Sequence, residues 1–169
     1  YADVMDETSD LWTTPLRIGV GWGDLYIAMH EHNFHSQIDH LWTEWQYAYE
    51  GINTCNKLLA DEAVQEVETS VAQLRAYRAL YYYILFDLFR NIPLDTTYDH
   101  PAGWQPEQAK PQEVWDFLIT ELNDIKDKCG DEVRMGEINN YAVHMILAKM
   151  YLNHNAWFND HSDDSYYQK

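Results

Sequence analysis

The chain has 169 residues, 46% of them hydrophobic and 15% aromatic, with 28 acidic against 11 basic residues and a net charge of −17. That length and apolar content support one packed domain with a sizeable core and exclude a disordered chain. The acidity argues against nucleic acid and anionic lipid head groups as partners, and no apolar run reaches the roughly 20 residues of a membrane-spanning helix.

Residues 1–37 read as loop-rich, because Pro15, Gly19, Gly21 and Gly23 favour turns, with one short helix predicted around Asp24 to Glu31. Residues 38–60 carry the first strong helical pattern, with Leu41, Trp45, Tyr49, Ile52, Asn56 and Leu59 on one face. Asp61 and Glu62 supply an acidic start for a second helix running to about Phe89, with Thr69-Ser70 as its expected weak point. Two stripes run along that helix. One is Val67, Val71, Leu74, Arg78, Tyr81, Leu85 and Leu88, and the other is Ala72, Ala76, Ala79, Tyr83 and Phe86. A helix that is apolar on two sides is sandwiched between neighbours, and its alanine face admits a close approach.

Pro93 stops the second helix and opens a loop over residues 91–110, which also holds Pro101, Gly103 and Pro106. At about 20 residues it is longer than most connections, which marks it as a candidate functional segment. Pro111 suits the first position of a third helix, marked by Val114, Leu118, Leu122, Ile125 and Cys129 and closed by Gly130. Asn139 or Asn140 caps a fourth, with Tyr141, Met145, Ala148 and Leu152 assigned to its inner face. Residues 155–169 form a polar tail, expected to be loosely packed. The organisation is then all-α within a single domain: a loop-rich segment 1–37, helix pairs at 38–90 and 111–154, the 91–110 loop and the tail. Ala79 and Ala148 stand 69 positions apart, about twice the ~34-residue tetratricopeptide period. Periodicity alone supports antiparallel helical hairpins.

Several residues could carry chemistry. His30, His32, His35 and His40 cluster without a recognised zinc spacing, and Asn159, Asp160, Asp163 and Asp164 lack the glycine and terminal glutamate of a calcium loop. No metal and no cofactor is assigned. Cys55 and Cys129 read as buried free thiols. No nucleophile elbow, phosphate loop or H-E-x-x-H motif is present, so no catalytic residue is assigned. Arg78 interrupts an apolar stripe and therefore requires a carboxylate or helix-end carbonyls beside it. Trp22 and Trp104 sit in glycine- or proline-rich loops, each either a ligand platform or, as the favoured reading, an anchor for its loop. A helical-repeat adaptor for peptide or protein partners is the alternative that this patterning allows, with basic targets favoured by the charge.

Trp42 with residues 49–56 (YEGINTCN), residues 78–83 with 88–89 and 91–94, residues 110–123, and Ala142 with residues 147–152 form four blocks that together resemble the SusD/RagB family of lipid-anchored outer-membrane nutrient-binding proteins. The first block is similar to the helix before the family's signature. Arg78-Ala79-Leu80-Tyr81-Tyr82-Tyr83, Leu88-Phe89 and Asn91-Ile92-Pro93-Leu94 resemble the signature itself. Lys110-Pro111 with Glu113-Val114-Trp115 to Leu122-Asn123 resembles its third helix, and Ala142 with residues 147–152 (LAKMYL) its fourth. Arg90 departs from the pattern, standing where the family usually has glycine. The resemblance implies hairpins stacked as a tetratricopeptide-like superhelix, with Arg78, Ala79, Tyr82 and Pro93 in structural places. It also implies non-catalytic capture of a glycan at the cell surface for a SusC-like TonB-dependent transporter. The lipid anchor would lie outside this chain, which would be part of a longer protein. Leu11-Trp12 follows an acidic stretch, as a glycan-contacting Leu-Trp does in starch-binding members. Asp10, Trp12 and Arg17, with Trp22 and Trp104, are therefore the candidate ligand contacts. An indole face suits the C–H face of a pyranose, and Arg or Asp suits its hydroxyls.

Overall fold

The computed structural model describes residues 1–15, 23–162 and 164–168. Among them are α1 (Ala2–Glu7), α2 (Gly23–His30), α3 (Asp39–Leu59), α4 (Glu62–Gln65), α5 (Glu68–Phe89), α6 (Pro111–Ile125) and α7 (Asn140–Phe158), followed by a 3₁₀ turn at Ser165–Gln168. The architecture is all-α, arranged as tetratricopeptide-like helical hairpins. The chain divides into two compact units, Tyr1–Tyr47 and Ala48–Lys169.

In the first unit α1 packs on α2, burying Val4, Tyr26, Met29 and Ile38. The amino group of Tyr1 pairs with Glu44 in the first turns of α3. Helix α1 did not show as a pattern in the sequence. It is only six residues long, too short for a 3.6-residue period to stand out.

The second unit is built around α5. No residue from Ser70 to Arg90 is exposed, and Ala72, Ala76, Ala79, Tyr82, Leu85 and Phe86 are fully enclosed. One neighbour is the C-terminal part of α3. A Cβ on Gly51 would lie 2.5 Å from the Tyr81 ring, so this helix pair touches at a position that only glycine fits without a shift. On another side α6 contributes Val114, Leu118, Leu122 and Ile125, and α7 contributes Val143, Ile146, Leu147 and Met150. Trp115 stands at the centre of an edge-to-face cluster with Tyr151, His154, Trp157, Phe158 and Tyr166.

Local chemistry sets the helix ends. Pro111 opens α6, and the Glu113 carboxylate reaches back to the Lys110 N–H at 2.7 Å. Asn139 caps α7 by accepting from the Ala142 N–H at 3.1 Å. Gly130 takes φ +80°, but α6 ends at Ile125 and a turn carries the chain to Cys129 and Gly130. The second helix breaks at Glu66 and Val67, earlier than Thr69-Ser70, leaving α4 as a single turn capped by Asp61. Val67, first of the large stripe, is therefore an exposed N-cap.

Two expectations are corrected, the second in part. The inner face of α7 is the other stripe: Tyr141, Met145 and Leu152 are 60–64% exposed, and Ala148 is exposed too. Both stripes of α7 are apolar, so the period could not choose between them; α5 and α6 select the branched aliphatic one. The tail is packed only where α7 continues into it and at Tyr166; the other described residues from Asn159 onward are exposed, as expected. Helix α7 runs on to Phe158, closed by Asn159 in the left-handed region, and the Trp157 indole donates to Asp87 at 3.1 Å. Asn155 is buried and Tyr166 stacks on His154 with ring centres 3.7 Å apart.

Candidate functional site

The N-terminal loop is fixed from beneath. Buried Glu7 accepts from the Thr14 N–H at 3.2 Å and from its hydroxyl. Thr8 and Ser9 return hydroxyl bonds to the end of α1, and His32 Nε2 contacts the Thr8 carbonyl at 2.9 Å. Between these ties the chain bulges outward. Leu11 is 95% exposed and Trp12 62%, with Asp10 exposed beside them. An apolar pair held in water by a tethered loop contributes nothing to the core and is free to meet a partner.

The 91–110 loop is fixed still more firmly, from inside the second unit. The Tyr49 hydroxyl donates to the Pro93 carbonyl at 2.8 Å. Tyr82 donates to the Asp95 carbonyl at 2.6 Å and accepts from the Asp95 N–H at 2.8 Å. Burial raises the Tyr49 phenol and pushes that of Tyr82 up to about 12, so both remain protonated donors. Asn56, 3% exposed, gives both amide hydrogens to the loop, to the carbonyls of Asp95 at 3.1 Å and Thr97 at 3.0 Å. Its orientation is set by Arg78, which donates to Asn56 Oδ1 at 2.9 Å and to Glu121 at 3.0 Å.

Glu121 is the carboxylate that the Arg78 guanidinium needs, and Arg75 holds it bidentately at 2.8 and 3.0 Å. Burial works to raise the Glu121 carboxyl, but the two arginines outweigh it and leave it below its ordinary value. Further along the loop, Asp95 accepts from both groups of Thr97 and contacts His100 Nε2 at 2.7 Å. His100 lies flat on Trp104, 3.5 Å between ring centres and 2° from parallel, and Trp104 stays 42% exposed. An open groove of ≈ 340 Å³ borders the loop, lined by Asn56, Leu59, Ala60 and residues 96–99.

Of the candidate ligand contacts, Asp10 and Trp12 share the N-terminal loop and Trp104 belongs to the 91–110 loop; Arg17 and Trp22 lie outside the described residues. Among the structural residues, Arg78, Ala79 and Tyr82 are buried in α5 and Pro93 is tied by Tyr49. The residues that shape the second loop, Asn56, Asp95 and His100, carried little signal. Asn56 showed only as a polar residue on an apolar face, and the Asp95–His100 spacing has no recurrent meaning. Among the described residues no group of His, Cys, Asp and Glu converges on a metal. Cys55 and Cys129 are buried free thiols, both raised by burial, Cys129 to about 11.

No family model matches the chain. The chain is 30% identical over 118 residues to the starch-binding protein SusD of Bacteroides thetaiotaomicron, a match that covers 66% of this chain and 21% of that protein. A SusD superfamily protein from Parabacteroides distasonis superposes with a TM-score of 0.72 at 25% identity, over 87% of this chain and 33% of the other. A laminarin-binding SusD-like protein superposes with a TM-score of 0.59 at 29% identity, over 68% and 27%. This chain thus spans about a fifth of its curated relative (21%) and about a third or less of these solved structures (33% and 27%). The sequence match and the superpositions are all with SusD-like proteins, and they support the assignment of this chain to the SusD/RagB family.

Proposed function

We propose that this chain is part of a non-catalytic cell-surface protein that captures a neutral oligosaccharide for a SusC-like TonB-dependent transporter. The observation that carries the reading is Leu11-Trp12, held out in water by a loop whose base is locked on buried Glu7. An exposed indole with a carboxylate beside it offers a stacking face and a hydroxyl acceptor, the pair of contacts a pyranose takes. The starch- and laminarin-binding names of two relatives support a glycan as ligand. The net charge of −17 favours a neutral over an acidic one. Likeness to the SusD/RagB family supports an outer-membrane location with a lipid anchor. It also supports the helices acting as scaffold and transporter-docking surface.

Trp12→Ala in the full-length protein is expected to weaken oligosaccharide binding about tenfold or more while leaving the melting temperature unchanged. Unchanged binding would overturn the site assignment. Product analysis after prolonged incubation with the same glycans is expected to show no cleavage.

A further inference from the structure

We propose that Trp104, backed by His100, is a second stacking platform for a neutral sugar ring, carried by the other compact unit. The proposal rests on the capture reading above and adds to it a subsite and a ligand class.

A tryptophan that merely anchors its own loop buries its ring. Trp104 buries only part of it. One face is covered by the parallel His100 ring at 3.5 Å, yet 42% of the residue remains in water. The surface left over lies away from the face that His100 covers. The ring is also held in place by a continuous chain of contacts running outward from the core. Glu121 holds Arg78, Arg78 orients Asn56, and Asn56 with Tyr82 fixes the backbone of Asp95. The Asp95 carboxylate then holds His100 against the indole. Three members, Arg78, Asn56 and Tyr82, are more than nine-tenths buried. Such a chain gives an exposed aromatic face a single position before any ligand arrives, which is the condition for strong binding by a small contact.

The ligand class follows from the surroundings. The same loop carries Asp95, Asp99 and Glu107 with Lys110 as its one cation, so a uronate or sulfated sugar meets like charge. The exposed Tyr98 and the groove of ≈ 340 Å³ that it helps to line provide space and hydroxyl partners for further sugar units.

The test titrates neutral starch- and laminarin-derived oligosaccharides, and a uronic-acid oligosaccharide, into the full-length protein and its variants. Trp104→Ala is expected to weaken neutral binding about tenfold with the melting temperature unchanged, and Trp104→Phe to lose less. The weak binding left in Trp12→Ala is expected to vanish in the double variant. His100→Ala is expected to weaken binding, with His100→Phe restoring it because a flat ring again backs the indole. If the parent protein binds and Trp12→Ala weakens it but Trp104→Ala does not, the platform is refuted and the capture reading stands. If the parent protein binds no neutral glycan, the capture reading itself falls. Uronate binding as tight as neutral binding overturns the ligand class.

Discussion

Helices α5 and α7 invite comparison, because in sequence they look alike. Each shows two apolar stripes at helical spacing, and each ends on a residue with positive φ. In α5 both stripes are covered, by α3 on one side and by α6 and α7 on others. In α7 one stripe is covered, and Tyr141, Met145, Ala148 and Leu152 face water. The difference teaches that periodicity reports how many faces of a helix can be buried, and that packing decides which of them are.

The comparison breaks hardest at the ion pair inside the α5 packing. Glu121→Ala strands Arg78, which is 7% exposed, and should cost about 3–5 kcal/mol in chemical denaturation. Arg78→Ala leaves a hole as well as an unpaired acid, whereas Arg78→Leu fills the space and should be milder. The same pair sets a pH response. The folded carboxyl of Glu121 lies below its unfolded value, so its contribution is full above the unfolded pKa of about 4.3 and is lost as pH falls through the folded pKa. Melting curves from pH 7 to 3 should show the gap between wild type and Glu121→Gln closing in that acid range. A constant gap would mean that Glu121 is not the titrating group.

Next come the two apolar faces themselves. Leu85→Ala, fully buried on α5, should cost about 2–5 kcal/mol. Leu152→Ala, on the exposed stripe of α7, should stay within about 0.5 kcal/mol. Equal costs would erase the distinction between the helices.

The smallest effects lie at the helix ends. Asn159 closes α7 at φ +50°, where a short amide side chain is tolerated. Arg90 closes α5 at φ +61°, where a bulky residue is strained and glycine would be free. Its guanidinium offsets that strain by bonding the Phe86 carbonyl at 3.0 Å and lying over Phe86 and Trp157 at 4.9 and 5.2 Å. Burial lowers its pKa, against the pull of Asp87. Arg90→Ala keeps the strain and loses the contacts, and should cost about 1–2 kcal/mol. Arg90→Gly relieves the strain while losing the same contacts and should be nearly neutral. Thermal melts of the two variants decide this.

The candidate sites were legible to different depths. Leu11-Trp12 stood out through the family resemblance, as a Leu-Trp after an acidic stretch, whereas its exposure became visible only in the structure. Glu7, which fixes that loop, was invisible as one acid among 28. Trp104 was visible as a tryptophan in a proline-rich loop. Its stack on His100 was not, since that stack depends on Asn56 and Tyr82 reaching across from two different helices.

By itself the sequence determined the long helices α3, α5, α6 and α7, their hairpin order, the buried character of α5 and the need of Arg78 for a partner. All of these follow from residues a few positions apart, where spacing and side-chain chemistry act directly. The tertiary structure alone decided that Glu121 is that partner, which stripe of α7 turns inward, where the second helix breaks and how an exposed tryptophan is held. Those depend on contacts between residues that are distant in the chain, and the energy of such a contact is set by what lies opposite, which no local pattern records.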